Sequence, residues 1–221
     1  MGDVAYTDIT AAEGIREKME DVIYHKGQFN ALGHLGSVLL LHIKEGFPPS
    51  ARAKKLTVYL VEPLVPYLLS GYLVPDILTD SIFVITRDSK FINEEDKEEL
   101  SPHITLRFDI FRVSLEDKRL KRFTKVESLG DRALFLGYNS SMIVMASQFP
   151  GCKGNHIYFA DNMVEKYYFS GYGCRDIGVF SLEGGTVEEL FTDRFHPIWS
   201  PPLWIATPPY SSQIDFGGKK P

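Results

Sequence analysis

Residues Ser128 to Asp161, SLGDRALFLGYNSSMIVMASQFPGCKGNHIYFAD, contain three short apolar pieces, ALFL, MIVMA and IYFA. Each is cut off within a few residues by Gly, Asn, Ser or Pro. Short runs rich in β-branched and aromatic residues, bounded by turn formers, read as buried strands rather than helices. The stretch carries no chemistry of its own, so it reads as scaffold. Two similar groups lie upstream.

Residues DVIYH, QFNAL, SVLLLHI and KLTVYLV, beginning at Asp21, alternate with turn signals such as His25-Lys26-Gly27 and Leu35-Gly36. In LTVYLV the residues Leu56, Val58 and Leu60 share one face and Thr57 and Tyr59 the other, the period of a half-buried strand, with Pro48-Pro49-Ser50 as the loop before it. Four such strands in succession predict one antiparallel meander. A second group comprises YLLSGYLV, SIFVITR, ITLRFDIFRVSL and RLKRFTKVES. Within it, residues 88–103 are crowded with acid and predict a solvent loop, with a single helical turn at Asn93–Leu100. They lack the D-x-[DN]-x-[DN]-G core of an EF-hand, so no calcium loop is expected. The third group is the opening stretch followed by DIGVFSL and TVEELF, joined through a two-residue hairpin turn at Gly184-Gly185.

The three groups repeat. DIFRVSLE at 109–116 and DIGVFSLE at 176–183 match at Asp, Ile, Ser, Leu and Glu, and SVLLLHIKEG at 37–46 resembles the same strand without the leading Asp. Repetition of a four-strand unit is how a β-propeller is written in sequence. The expected fold is therefore all-β, a partial β-propeller of about three four-stranded antiparallel blades. A short helix is expected ahead of it over residues 8–21, from the Thr10/Glu13 capping box and Ile15, Met19 and Val22 at helical intervals. The chain divides into a lead-in at 1–19, the propeller at 20–207 and a disordered tail at 208–221.

With 221 residues, 44% hydrophobic and 24% charged, the chain is long enough to bury a sizeable core unaided. Its net charge of −5 argues against a nucleic-acid or anionic-membrane surface, so neither is an expected partner. The only basic cluster, Arg119, Lys121, Arg122 and Lys125, reads as a charged, solvated edge strand. Cys152 and Cys174 cannot make a disulfide framework, and no signal peptide precedes them, which points to a reducing compartment, cytoplasm or nucleus. Its apolar runs, Val38 to Leu41 among them, are far short of a membrane span.

No catalytic signature is present. GYNSS is not a G-x-S-x-G elbow, H-E-x-x-H is missing, and Gly171-Tyr172-Gly173 lacks the remainder of a dinucleotide fingerprint. Histidines 25, 34, 42, 103, 156 and 196 show no ligand spacing, so no metal and no cofactor is expected. Asp109 and Asp176 stand at matching repeat positions. They are either structural acceptors for a neighbouring turn or, in an alternative reading, the carboxylate pair of a glycan-binding or hydrolytic propeller. Asp131 and Asp161 bracket strands and take the structural reading. Trp199 and Trp204, in HPIWSPPLW, either pack over a sheet end or form a partner-binding platform.

Taken in order, EDVIYHKGQFNAL, SLGDRALFLGYNSS, FPGCKGNHIYFAD, DIGVFSLEGGTVEELF and PIWSPPLWIATP closely resemble the plant F-box proteins that carry a C-terminal KIB-type β-propeller, a domain of unknown function. The resemblance implies a substrate-receptor architecture, a non-catalytic surface that holds client proteins for a cullin ubiquitin ligase. An F-box, which would bind a Skp1-type adaptor, is not found in residues 1–20, so that adaptor is expected only where an F-box is present. The remaining expectations are self-association through open sheet edges, and a fragment with no independent function.

Overall fold

In the computed structural model the residues described are 19–33, 37–44, 50–56, 69–76, 78–79, 81–91, 103–116, 119–138, 141–160, 176–190 and 204. They form thirteen strands and one 3-10 turn, in three sheets. The first sheet is the meander β1 (Met19–His25), β2 (Gln28–Gly33), β3 (Val38–Lys44) and β4 (Ser50–Leu56). The second is the meander β5 (Leu69–Pro75), β6 (Ser81–Phe91), β7 (His103–Glu116) and β8 (Arg119–Lys125). The third comprises β9 (Arg132–Leu136), β10 (Met142–Met145), β11 (His156–Phe159), β12 (Gly178–Ser181) and β13 (Thr186–Glu189), in the order β10-β9-β11-β12-β13.

The second sheet lies between the other two, and its alternation shows it. Leu73, Ile82, Val84 and Val113 pack with Leu32, Val38 and Leu40 of the first sheet. Tyr72, Val74, Phe83, Ile85, Phe108 and Ile110 pack with Leu134, Leu136, Ile143, Ile157, Phe159 and Phe180 of the third. A strand buried on both faces has no polar side to write, which is why IFVI at 82–85 reads as an unbroken apolar run. The opposite face of the first sheet gathers Ala31, Leu39 and Leu41 into a separate cluster. The architecture is thus all-β, with face-stacked, largely antiparallel sheets, consistent with a partial, open propeller. The repeat has a topological meaning. β3, β7 and β12 each stand next to the last strand of their sheet, so the three similar segments occupy one equivalent position.

Several local expectations are corrected. The third sheet is not a four-stranded antiparallel unit: it has five strands, and β11 runs parallel to β9, pairing His156 with Ala133 and Phe159 with Leu136. After β10 the chain turns through the 3-10 segment Ala146–Gln148 and is carried back to the start of β9, where Ala146 N donates to Asp131 O at 2.7 Å and Asn155 N to Arg132 O at 2.9 Å. The first bond closes the antiparallel β9–β10 pair, and the second leads into the parallel pairing of β11 with β9.

The helix expected over 8–21 does not include its last three residues. Met19 and Asp21 pair with Gly33 and Leu32 in β1, where ladder bonds override local propensity; residues 1–18 lie outside the described residues. The fourth strand of the first sheet is SARAKKL rather than KLTVYLV, paired from Lys44↔Ser50 to Val38↔Leu56. An outer strand need not alternate apolar residues, and its Lys and Arg suit an edge. Residues 57–61 are outside the described set.

The acidic segment is shorter than its sequence suggests. β6 continues to Phe91 and β7 begins at His103, leaving 92–102, with the helical turn at 93–100, outside the described residues. The β12–β13 loop has four residues, Leu182–Gly185, rather than two. Ser181 pairs with Thr186, its carbonyl accepts from Gly185 N at 2.9 Å, and Gly185 takes φ +61°. The β1–β2 turn is the true two-residue hairpin: His25 pairs with Gln28 across Lys26 and Gly27, both at positive φ. The basic cluster does fall on an edge strand, β8.

Candidate interaction site

The polar side chains that matter join one sheet to the next. Arg87 of β6 is only 1% exposed, and all its donors are used. Its Nε donates to Thr105 Oγ1 at 2.7 Å, one terminal nitrogen to Tyr72 Oη and Ala160 O, and the other to the backbone and carboxylate of Asp176, the latter at 2.7 Å. Thr105 Oγ1 also donates to Asp176 Oδ2 at 2.8 Å. The guanidinium lies 5.0 Å from the Phe159 ring centroid. A buried charge survives only when paired and fully hydrogen-bonded, and this one is both. It ties the second sheet to the third.

A second tie stands at Asp76, just beyond β5. Its carboxylate accepts two contacts from Arg132 Nη1, at 3.0 and 3.1 Å, with Thr79 Oγ1 at 2.7 Å and Leu78 N at 3.1 Å. Burial by itself raises this carboxyl, but the Thr79 and Leu78 hydrogen bonds and the Arg132 charge outweigh it and hold it below the usual carboxylate range. Arg132 and Arg112 both lie over the Phe83 ring, at 5.3 and 5.4 Å. The first and second sheets are joined more simply, by Leu73 N donating to Asp21 Oδ2 at 2.7 Å. Burial pushes Asp21 up, against the lowering effect of its hydrogen bonds from Leu73 and Val22.

The paired-carboxylate idea fails on geometry. Asp176 is buried against Arg87, while Asp109, at the matching repeat position, makes a half-exposed surface pair with Lys125 at 2.9 Å and a longer contact to Arg107. The matching repeat positions thus do not share one role. Asp131 is a backbone acceptor, receiving Ser147 N and Oγ; Asp161 is outside the described residues. Among the described residues no group of three or more His, Cys, Asp or Glu could hold a metal ion. His156 Nδ1 lies 2.6 Å from Gly154 O, and the side chain of His42 is outside the described set. Cys152 is a free thiol pushed up by burial, and Cys174 is not described.

Trp204 is half-buried on the outer face of the third sheet. Its Nε1 donates to Leu136 O at 2.8 Å, and its ring meets Phe135 edge-on at 5.1 Å. Phe135 in turn stacks on its cross-strand neighbour Tyr158, centroids 4.7 Å apart. Gly137 leaves room for the indole, which would lie 3.4 Å from an added Cβ. Trp199 is outside the described residues. Sequence reasoning missed Arg87, Asp76, Arg112 and Arg132. A signal existed for Arg87: it stands two residues beyond Ile85 and four beyond Phe83, hence on a core-facing position of an alternating strand.

Stacked sheets cross-tied by buried guanidinium–carboxylate pairs, with no metal cluster or converging acid pair among the described residues, define a β-propeller-type scaffold. The chain matches the model of the KIB1-4 beta-propeller family over residues 1–181 and belongs to that family, which is non-catalytic. It is 28% identical over 147 residues to the F-box protein At2g26160 of Arabidopsis thaliana, covering 66% of this chain and 40% of that protein. It is 29% identical over 106 residues to the F-box protein SKIP23 of the same plant (47% and 25%) and 24% identical over 209 residues to the putative F-box protein At5g55150 (94% and 51%). The chain thus spans about half or less of the length of these curated relatives. No solved structure matches significantly. Among the described residues no helix is long and apolar enough to cross a membrane.

Proposed function

We propose that this chain is a protein–protein interaction module, the propeller part of a substrate receptor that presents client proteins to a ubiquitin ligase. On this reading the three sheets are three blades, β10 being an additional strand on the third. The observation that carries it is the set of inter-sheet ties, Arg87–Asp176, Arg132–Asp76 and Asp21–Leu73. They spend the buried polar groups on holding blades in register, which is what a rigid display surface needs and a reaction centre does not. The Arabidopsis relatives, all named as F-box proteins, supply the ligase context. Clients bind the chain's exposed surface, with Trp199 and Trp204 as candidate contacts, in cytoplasm or nucleus.

The test is affinity capture from plant extract with the folded chain as bait, read by mass spectrometry. Recovery of a reproducible set of proteins, with or without a Skp1-type adaptor and cullin, supports the module. Recovery of chaperones alone overturns it in favour of a fragment without function of its own.

A further inference from the structure

Around Asp76 the charges do not balance. The two carboxylate oxygens already accept four contacts, from Arg132 twice, Leu78 N and Thr79 Oγ1, which fills their lone pairs. Arg112 stands beside them, but its nearest terminal nitrogen is 3.9 Å from Asp76 Oδ2, beyond hydrogen-bond range. Its Nε is buried and has no partner. The guanidinium is held in place by the Phe83 ring at 5.4 Å rather than by any acceptor among the described residues. Among the described residues two guanidiniums thus share one carboxylate, a local excess of one positive charge on a chain whose net charge is −5.

This cation is reachable. The Arg112 side chain is 37% exposed, whereas Arg132 is 12% exposed. On β8 the residue directly opposite Arg112 is Thr124, which is exposed and offers a hydroxyl donor. Close by, Leu78, whose amide is bonded to Asp76, is 62% exposed. A planar, pre-positioned fork with unused donors, next to a hydroxyl and an exposed aliphatic side chain, matches a bidentate oxyanion attached to an apolar segment.

From these contacts we propose that Arg112 is an oxyanion-recognition residue on the client-facing surface. It receives the carboxylate or phosphate of an acidic or phosphorylated side chain of a bound polypeptide, with Leu78 against the neighbouring aliphatic residue. The proposal rests on the interaction-module reading and names the chemistry of the partner.

The test is a titration of the full chain with inorganic phosphate, and separately with acetate, at constant ionic strength set by chloride. Arginine Nε–H resonances and the Leu78 and Thr124 amides are followed by NMR. The Arg112 Nε–H is shielded from solvent and therefore observable. Saturable shifts at these three residues are expected. Arg112→Gln should weaken the half-saturation concentration by about tenfold or more, the scale of a charge-assisted contact. Arg112→Lys, which keeps the charge and loses the fork, should fall between. Saturation by phosphate alone assigns a phosphorylated residue, and equal saturation by acetate assigns a carboxylate. Shifts that do not saturate, or that persist unchanged in Arg112→Gln, overturn the proposal. The isotherm is measured without clients, so its failure is separable from failure of the module reading, which shows as loss of client capture by the unsubstituted chain.

Discussion

Replacing Arg87 by Met should be the most damaging single change in the described core. The substitution keeps an unbranched side chain of similar reach but removes five hydrogen bonds spread over four residues of two sheets. The larger loss is what remains: the Asp176 carboxylate, 7% exposed, stays buried without its paired cation once the guanidinium is gone. Breaking one side of a buried ion pair costs about 3–5 kcal/mol, against total stabilities of about 5–15 kcal/mol. At about 2–4 °C per kcal/mol for a chain of this size, Tm should fall by roughly 6–20 °C.

Urea unfolding followed by circular dichroism measures the change. A double-mutant cycle with Asp176→Leu then apportions it. Because the cost is chiefly that of a stranded charge, R87M/D176L should be more stable than R87M, with a coupling of about 2 kcal/mol or more between the sites. If R87M lies within about 1 kcal/mol of the unsubstituted chain, or the two substitutions simply add, the claim that this pair locks the second sheet to the third is wrong.

Acid titration should separate two other inter-sheet carboxylates. Asp76 has a lowered value, so the stability it contributes is present above the ordinary carboxylate range and lost as pH falls through its folded value. Asp76→Asn should therefore destabilise at pH 7 and flatten the acid limb of the stability–pH curve. Asp21 has a raised value, so its ionised form costs stability above that value and the cost fades as pH falls through it. Asp21→Asn, which keeps an acceptor for Leu73 N, should be neutral to stabilising at pH 7 in the same urea series. Gly178→Ala should cost about 1–3 kcal/mol, since the new Cβ would lie 2.8 Å from Glu188 O and 2.9 Å from the Phe159 ring, and a strand carbonyl cannot step aside; an unchanged Tm would refute this packing. Lys26→Asn should raise stability by up to about 1 kcal/mol, because Lys26 sits at φ +51° ahead of Gly27 and Asn tolerates that conformation better. Scanning calorimetry resolves a change of that size.

The order of the strands, their grouping and their assignment to a propeller family were legible in the residues. Short apolar runs and punctuating Gly, Asn and Pro are local properties, and a repeat such as DIFRVSLE and DIGVFSLE survives in one dimension. Even the inward position of Arg87 was implied by its alternation with Ile85 and Phe83.

Tertiary structure alone decided which side chains meet. Arg87 and Asp176 are 89 positions apart, and Arg132 and Asp76 are 56 apart, so no periodicity within a strand could pair them. The two repeat carboxylates, similar in sequence context, differ because Asp176 lies at the interface of two sheets and Asp109 faces water beside Lys125. The parallel return of β11 onto β9, and the surplus guanidinium of Arg112, likewise depend on contacts closed only when the sheets stack. A strand's own residues determine that it is a strand, whereas its partners are determined by the faces it buries against.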